Sequence, residues 1–506
     1  MTHRRALAAL LACLALVLVG CTPPRHQAPV QPGASPVVPE DVEPGLEDFY
    51  SQPVRWESCG ELQCATVRAP LDWDQPGAGE IELRIARDPA DGERKGVLLV
   101  NPGGPGGSGI ELVEQVKDTF GRRVLDAFDV VGFDPRGVGR SSPVRCLGPE
   151  GTEALLTRDL DLDTEAGLQE AVEMWRGFGE ACERGTGELL AHVGTVSAAK
   201  DMDLLRAVLG EETLTYLGYS YGTQLGATYA ALFPDRVGRL VLDGAVDPTL
   251  DSAELNRGQA EGFERALRSY VEYCFSVRSC PLGGSVEDGL GQISALLERA
   301  RSTPLRTSDP QRPVTANRLF YAIAVTLYDE RSWQFLTQAL REAIEEGTGE
   351  VAGYLADFYF DREADGTYTS NQTEAFLAIN CADAEVELDV ERMRAEAERL
   401  RQVAPTVGDA FAYAELPCVD WPVPAEELPA DYSAKGAPPI VVIGTTGDPA
   451  TPYAWSENLA KILSSGVLVT YEGDGHTAYG RSNDCVADAV EDYLVDGVVP
   501  QDGLVC

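Results

Sequence analysis

The segment LTYLGYSYGTQLGATYAALFP, residues 214–234, constrains the fold more than any other part of the chain. It begins with alternating strand-forming residues, turns at GYSYG, and continues as a helical pattern of small residues. In one interpretation the glycines permit a tight turn and the Ser220 hydroxyl only caps the helix. In the other, Ser220 is the nucleophile of a G-x-S-x-G elbow, which requires a strand before it and a helix after it. The motif alone recurs by chance among 51 glycines, so its strand and helix context favours the nucleophile.

Further strand patterns lie on both sides of this segment and alternate with helical ones. An α/β fold with a mostly parallel sheet and right-handed crossovers is therefore predicted. From about Val246 to about Pro438 the pattern is mainly helical, which predicts a large cap inserted over one edge of the sheet. The predicted strands are Val97–Val100, Asp129–Phe133, the elbow strand, Arg239–Asp243, Ile440–Ile443 and one within 466–480.

The N-terminus has the features of an export signal. Two arginines precede an apolar run of 15 residues, Ala6 to Gly20, which is shorter than the roughly 20 that span a bilayer. The run ends in Leu-Val-Gly-Cys, which resembles a bacterial lipobox and makes Cys21 the expected lipid site; an ordinary signal peptide is the alternative. The protein is thus expected on the outer face of the membrane or secreted. The predicted divisions are a signal at 1–20, a Pro-rich tether at 21–45, a first core part at 46–245, a cap at 246–438 and a second core part at 439–506.

The cysteine count agrees with export. Leaving out Cys13 and Cys21, ten of the 12 cysteines remain, an even number that an oxidising compartment would pair. No finger-like spacing indicates zinc, so neither a structural metal nor a cofactor is expected. Because short loops close most readily, we predict pairing of nearest neighbours. The pairs are Cys59–Cys64, Cys146–Cys182, Cys274–Cys280, Cys381–Cys418 and Cys485–Cys506.

A formal net charge of −40 argues against nucleic acid as a partner, because phosphates would be repelled. The acidic run Asp159 to Asp163 is similar to a calcium loop, but Thr164 stands where such a loop needs glycine. It is interpreted as a solvated loop. The protein is expected to be a monomer.

A nucleophilic serine needs a base, usually an imidazole with a pKa near 6.5. Of the four histidines, His3 and His26 lie in the signal and tether, which leaves His192 and His476. His476 is preferred because it follows a strand and completes the chain order Ser, Asp, His.

The acid that orients the base is expected between the serine and the histidine, after another strand. Asp448 follows the Ile440–Ile443 strand and fits this position, although an Asp-Pro dipeptide also marks turns. Asp474 is close to His476 in sequence, but adjacent turn residues rarely face the imidazole from the correct side.

An oxyanion hole needs two backbone N–H groups, one of them from the residue after the nucleophile, here Tyr221. The other is expected from NPGGPGGSG, residues 101–109, with Gly104 preferred and Gly103 possible. A phosphate-binding loop would end in G-K-[ST], which this segment lacks.

Several motifs together resemble the tripeptidyl-aminopeptidase-like branch of the proline iminopeptidase family within the α/β-hydrolases. They are NPGGPGGSG, FDPRGVGRSS, GYSYGT, LDG, CVDW, GDPATP and GDGHTAYG, which span nearly all of the exported chain. Asn101-Pro102 replaces the His-Gly usual in proline iminopeptidases and is similar to the secreted tripeptidyl branch. The resemblance implies Ser220, Asp448 and His476 as a triad acting on peptides with free N-termini.

Asp383 and Glu374 are candidates for binding the substrate α-amino group, though both are more simply surface acids among 81. Two alternatives remain open: an esterase or lipase acting on acyl esters, and a catalytically silent surface lipoprotein that binds through the cap groove.

Overall fold

The computed structural model describes residues 33–506. The predicted signal, Cys21 and the first part of the tether lie outside these residues. Within the described range, no helix combines the length and apolar character needed to cross a bilayer.

One twisted sheet forms the centre of the molecule, with strand order β1-β2-β3-β5-β4-β6-β7-β8-β9-β10. Pairings from β5 to β10 are all parallel, whereas β1, β2 and β3 extend one edge in antiparallel fashion. The predicted α/β architecture with a mostly parallel sheet is confirmed. The strands are β1 Glu57–Cys59, β2 Leu62–Pro70, β3 Glu80–Asp88, β4 Gly96–Asn101, β5 Phe128–Phe133, β6 Leu214–Tyr219, β7 Val237–Asp243, β8 Ile440–Gly447, β9 Gly466–Asp474 and β10 Leu504–Val505.

The central strands are buried on both faces, which explains their continuous apolar sequences. Helices cover the two faces. Those outside the cap are α1 Glu47–Tyr50, α2 Gly109–Glu114, α3 Val116–Thr119, α4 Arg122–Ala127, α5 Gly148–Thr157, α6 Glu165–Thr186, α7 Thr195–Val208 and α8 Tyr221–Leu232, and, after the cap, α17 Tyr453–Ile462 and α18 Asp484–Glu491.

The chain between β7 and β8 forms the helical cap. It has its own apolar core, in which Phe263 and Phe320 pack edge to face. The cap helices are α9 Ser252–Ser276, α10 Val286–Ser302, α11 Ala316–Leu327, α12 Trp333–Arg341, α13 Glu350–Tyr359, α14 Gln372–Ala382, α15 Val390–Val403 and α16 Gly408–Phe411.

Helix α6 joins the core to the cap. Its first half places Leu168 and Ala171 against Met393 and Ala397 of α15, while its second half places Phe178 in the main core. The predicted boundaries put this helix wholly in the first core part. Because the first half of α6 packs on α15, the cap is supported by a second insertion, which lies between β5 and β6.

The structure contains five disulfides, each between neighbouring cysteines in the sequence. Two bridges lie in the core, one at the C-terminus and one among the first cap helices. The fifth joins α14 to the segment that leads from the cap back to the core. They are Cys59–Cys64, Cys146–Cys182, Cys485–Cys506, Cys274–Cys280 and Cys381–Cys418.

Candidate active site

Ser220 lies at the sharp turn from β6 into α8. Its φ of 56° and ψ of −125° form a strained backbone that non-glycine residues rarely adopt. A Cβ added to Gly218 would lie 2.3 Å from the Gly222 carbonyl oxygen, so the two flanking glycines allow the chain to fold back on itself. The Ser220 N–H donates to the Asp243 carbonyl at 2.9 Å, which ties the turn to the neighbouring strand β7.

Asp448 and His476 follow the next two strands, β8 and β9, and form a close pair. The imidazole Nδ1 lies 2.9 and 3.0 Å from the two carboxylate oxygens of Asp448. The Asp448 side chain is fully buried, and the His476 side chain keeps 13% of its surface exposed. Such a pair fixes the imidazole tautomer and leaves Nε2 to receive a proton.

The acid is also held by its own loop. Asp448 Oδ1 accepts from the N–H groups of Ala450 and Thr451 at 2.9 and 2.8 Å, and Oδ2 accepts from the Thr477 N–H at 3.1 Å. These bonds fix the orientation of the carboxylate toward the imidazole.

The glycine-rich loop after β4 contacts the elbow. A Cβ on Gly103 would lie 3.0 Å from both the Ser220 Cβ and the Tyr221 nitrogen, so only a residue without a side chain fits there. The Gly103 N–H is already donated to Asn101 Oδ1 at 2.8 Å. Among residues 33–506 the Gly104 N–H has no protein acceptor, so it is available to a substrate oxygen, as is the N–H of Gly106.

The two alternatives weighed from sequence, His192 and Asp474, lie in other settings. The His192 carbonyl accepts from the buried guanidinium of Arg136, ahead of α7. The Asp474 carboxyl is influenced by Ser269 and Glu272 of cap helix α9, and burial raises its pKa. Neither residue pairs with His476.

Asp383 and Glu374, the two candidates for binding a substrate amine, already accept hydrogen bonds from protein donors. Glu374 accepts from the N–H groups of Cys146 and Leu147. Asp383 accepts from the Thr195 N–H at 2.7 Å and from its hydroxyl at 2.5 Å. Burial raises the pKa of Asp383 to about 7. Both acids thus hold backbone N–H groups of the segments between β5 and β6.

Two residues beside His476 were not identified from the sequence. The Thr451 hydroxyl lies 3.1 Å from Asp448 Oδ2 and 3.3 Å from His476 Nδ1. The Tyr328 carbonyl accepts from the His476 N–H at 2.9 Å, and the two rings have centroids 5.3 Å apart. Thr451 could have been found from the sequence, because it stands three positions after Asp448 in GDPAT. The contact of Tyr328 with His476 could not, because Tyr328 lies in the distant cap.

The described residues contain no group of three or more His, Cys, Asp or Glu side chains arranged to hold a metal ion. The chemistry that these residues can perform is proton transfer by imidazole, with backbone N–H donors beside the serine.

A parallel sheet with a serine at a strained elbow and an Asp–His pair at the ends of the following strands defines a serine hydrolase of the α/β-hydrolase fold. Known proteins extend this assignment. A family model described as TAP-like protein matches residues 404–506.

Three curated relatives align over most of the chain. Serine protease Hip1 of Mycobacterium tuberculosis is 37% identical, covering 98% of this chain and 96% of that protein. Carboxylesterase B of the same species is 37% identical, covering 100% and 99%. Tripeptidyl aminopeptidase of Streptomyces lividans is 31% identical, covering 88% and 84%. The chain therefore belongs to the tripeptidyl-aminopeptidase-like family of α/β-hydrolases.

Proposed function

We propose that this protein is an exported serine aminopeptidase that releases short peptides from free N-termini through an acyl-enzyme. Ser220 attacks the carbonyl, His476 takes its proton and later returns it to the leaving amine, and Asp448 holds the imidazole. The N–H groups of Tyr221 and Gly104 receive the developing oxyanion. The observation that carries the proposal is the Asp448–His476 pair at 2.9 Å beside a strained serine elbow.

The cap supports action at chain ends. Two of its residues contact the acid and base loops directly. Gln259 of α9 donates to the Ala450 carbonyl at 3.1 Å, and the carbonyl of Tyr328, just after α11, accepts from the His476 N–H at 2.9 Å. A cap fixed so close to the reacting groups limits entry to the ends of a chain or to flexible segments. Two relatives are named as peptidases, one of them a tripeptidyl aminopeptidase, which favours peptides as substrates.

An esterase is the second candidate, because one 37% identical relative is named Carboxylesterase B. The discriminating measurement is kcat/KM for matched chromogenic di- and tripeptides, each with a free and an acetylated N-terminus, alongside short-chain esters. We expect the free peptides to be cleaved at least about tenfold faster, a ratio worth roughly 1.4 kcal/mol. Equal rates would indicate an endopeptidase, and ester turnover without peptide cleavage would establish the esterase.

The export route is part of the proposal, and the sequence around Cys21 supports it. Cys21→Ala should yield released protein or an uncleaved precursor, measured by fractionation of cells that express the full chain. A processed Cys21→Ala protein that stays on the membrane would contradict lipid attachment at this residue.

A further inference from the structure

The turn that carries His476, residues 474–479, is held largely by two charged side chains from outside it. Asp243 ends β7 and accepts N–H groups of this turn, while Arg481 donates to its carbonyls. Neither side chain takes part in the proton transfers proposed above, and the Asp243 side chain is fully buried.

Asp243 connects the base to the nucleophile. Its carboxylate accepts from the Ala478 N–H at 3.0 Å through both oxygens and from the Tyr479 N–H at 2.7 Å. Its backbone carbonyl accepts from the Ser220 N–H at 2.9 Å. One residue thus fixes both the elbow and the chain just after His476.

Arg481 closes the turn from the other side. Its Nε donates to the His476 carbonyl at 2.8 Å, Nη1 donates to the Asp474 carbonyl at 3.1 Å, and Nη2 donates to the Thr477 carbonyl. The rigid guanidinium fork can satisfy three carbonyls at once, which an ammonium group cannot do with the same geometry.

A buried carboxylate is costly unless it is hydrogen-bonded, and here it accepts two backbone N–H groups. Burial raises the pKa of Asp243 to about 6, against the opposing effect of the Tyr479 and Ala478 N–H groups and of the charges on Arg481 and His476. The charge is retained where it can hold N–H groups of the His476 turn and act electrostatically on the imidazole.

We propose that Asp243 and Arg481 are positioning residues that clamp the His476 turn to the serine elbow and so keep the imidazole within reach of the nucleophile. The inference rests on the proposed roles of Ser220 and His476. It predicts that loss of either clamp residue slows acylation while leaving substrate affinity nearly unchanged.

The test compares Asp243→Asn, Arg481→Gln and Arg481→Lys with the wild-type protein. A fluorophosphonate probe reports acylation of Ser220, and a short ester or peptide reports kcat and KM. We expect kcat and the labelling rate to fall at least about 30-fold in Asp243→Asn and Arg481→Gln, with KM within about threefold. Arg481→Lys should recover only part of the loss, because it keeps the charge without the fork.

Asp129→Asn is the matched control. Asp129 lies near the start of β5, away from the strand ends that carry the site. It is buried and pairs with Arg87 of β3 and with Arg94 ahead of β4. It should lose thermal stability with little change in kcat, which separates a structural loss from a positioning loss.

The pH dependence of labelling gives a second readout. Burial raises the pKa of Asp243 to about 6, so protonation of this carboxylate should contribute to the acid limb of wild-type labelling, and that contribution should be lost in Asp243→Asn. The other titratable or charged groups around the turn are kept in this variant: Asp448, Arg481, Asp474, Tyr219, and Tyr328 and Glu272 of the cap.

A folded Asp243→Asn with wild-type labelling rate and pH profile would overturn the clamp. Should Asp243→Asn fail to fold, Arg481→Gln decides by the same rates, and normal labelling of that folded variant would also overturn it. Failure of wild-type protein to label at Ser220 would instead overturn the proposed function, and the clamp with it.

Discussion

At the residue scale, the site depends on side chains that orient the reacting groups as well as on the groups themselves. Asp448 accepts four hydrogen bonds besides its contact with His476, from the N–H groups of Ala450, Thr451 and Thr477 and from the Thr451 hydroxyl. Each bond restricts the carboxylate to one orientation. The imidazole therefore meets a preorganised acid and does not need to order it during the reaction.

Thr451→Val should lower kcat by about tenfold, because the hydroxyl that contacts both Asp448 and His476 is replaced by a methyl group of similar size. Thr451→Ser, which keeps the hydroxyl, should restore most of the rate. Steady-state kinetics on one substrate measures both variants. Equal rates for valine and serine would show that the hydroxyl does not orient the acid.

The raised pKa of Asp383 predicts how the stability of the protein depends on pH. Burial holds its pKa at about 7 in the folded protein, whereas an unfolded aspartate titrates near about 3.9. The folded state binds this proton more tightly, so the cost of the buried charge is present above pH 7 and is relieved as the pH falls through 7. Lowering the pH from 8 to 6 should add about 1 kcal/mol to the free energy of unfolding from this group.

This contribution is measured by urea unfolding at the two pH values, for wild type, Asp383→Asn and the exposed control Asp48→Asn. The gain in the free energy of unfolding on lowering the pH should be smaller in Asp383→Asn and unchanged in Asp48→Asn. An identical increment in all three proteins would contradict a buried, titrating Asp383.

Sequence reasoning identified the three residues that the structure brings to the carboxyl ends of β6, β8 and β9, because a motif, a chain order and a shortage of histidines each narrowed the choice. It missed Thr451, Asp243 and Arg481, whose roles depend on contacts between distant segments. It also offered Asp383 for substrate binding, since nothing in the local sequence shows that Thr195, 188 positions away, donates to it.

At the element scale, the central strands were predictable because burial on both faces demands continuous apolar runs such as Val97–Val100. The antiparallel strands β1–β3 were not predicted, although β3 has partial alternation in Glu80-Ile81-Glu82-Leu83. Such alternation is typical of a strand with one exposed face. The pairing of β3 with β5 depends on tertiary structure and leaves no local pattern. The two-residue β10 is too short to leave a pattern.

The disulfides provide an element-scale prediction, because the cost of losing one grows with the loop that it closes. Cys381–Cys418 joins residues 37 positions apart and Cys59–Cys64 joins residues 5 apart. On the chain-entropy account, replacing the first pair by serine should cost about 4 kcal/mol and the second about 2 kcal/mol.

Thermal unfolding of the two double-serine variants under non-reducing conditions compares these costs. The Cys381–Cys418 variant should have the lower Tm. A lower Tm for the Cys59–Cys64 variant would mean that local packing, and not loop closure, determines the contribution of these bridges.

At the scale of the whole molecule, the cap and the core form one working unit. The cap has its own apolar core, yet Gln259 and Tyr328 bond to the loops that carry Asp448 and His476. Helix α6 packs on both parts. The sequence predicted a cap from the loss of alternation after β7, but it could not show that a second insertion supports it or that cap backbone touches the base.

The central claim is that Ser220 is the nucleophile of this fold. Intact-mass and peptide-level spectrometry after fluorophosphonate treatment tests it most directly, with wild type and Ser220→Ala compared at equal concentration. We predict one adduct on Ser220 in the wild type, none in Ser220→Ala, an unchanged fold in the variant, and turnover lowered by roughly 10⁴-fold or more. An adduct on another residue, or near-normal hydrolysis by a folded Ser220→Ala protein, would contradict the account.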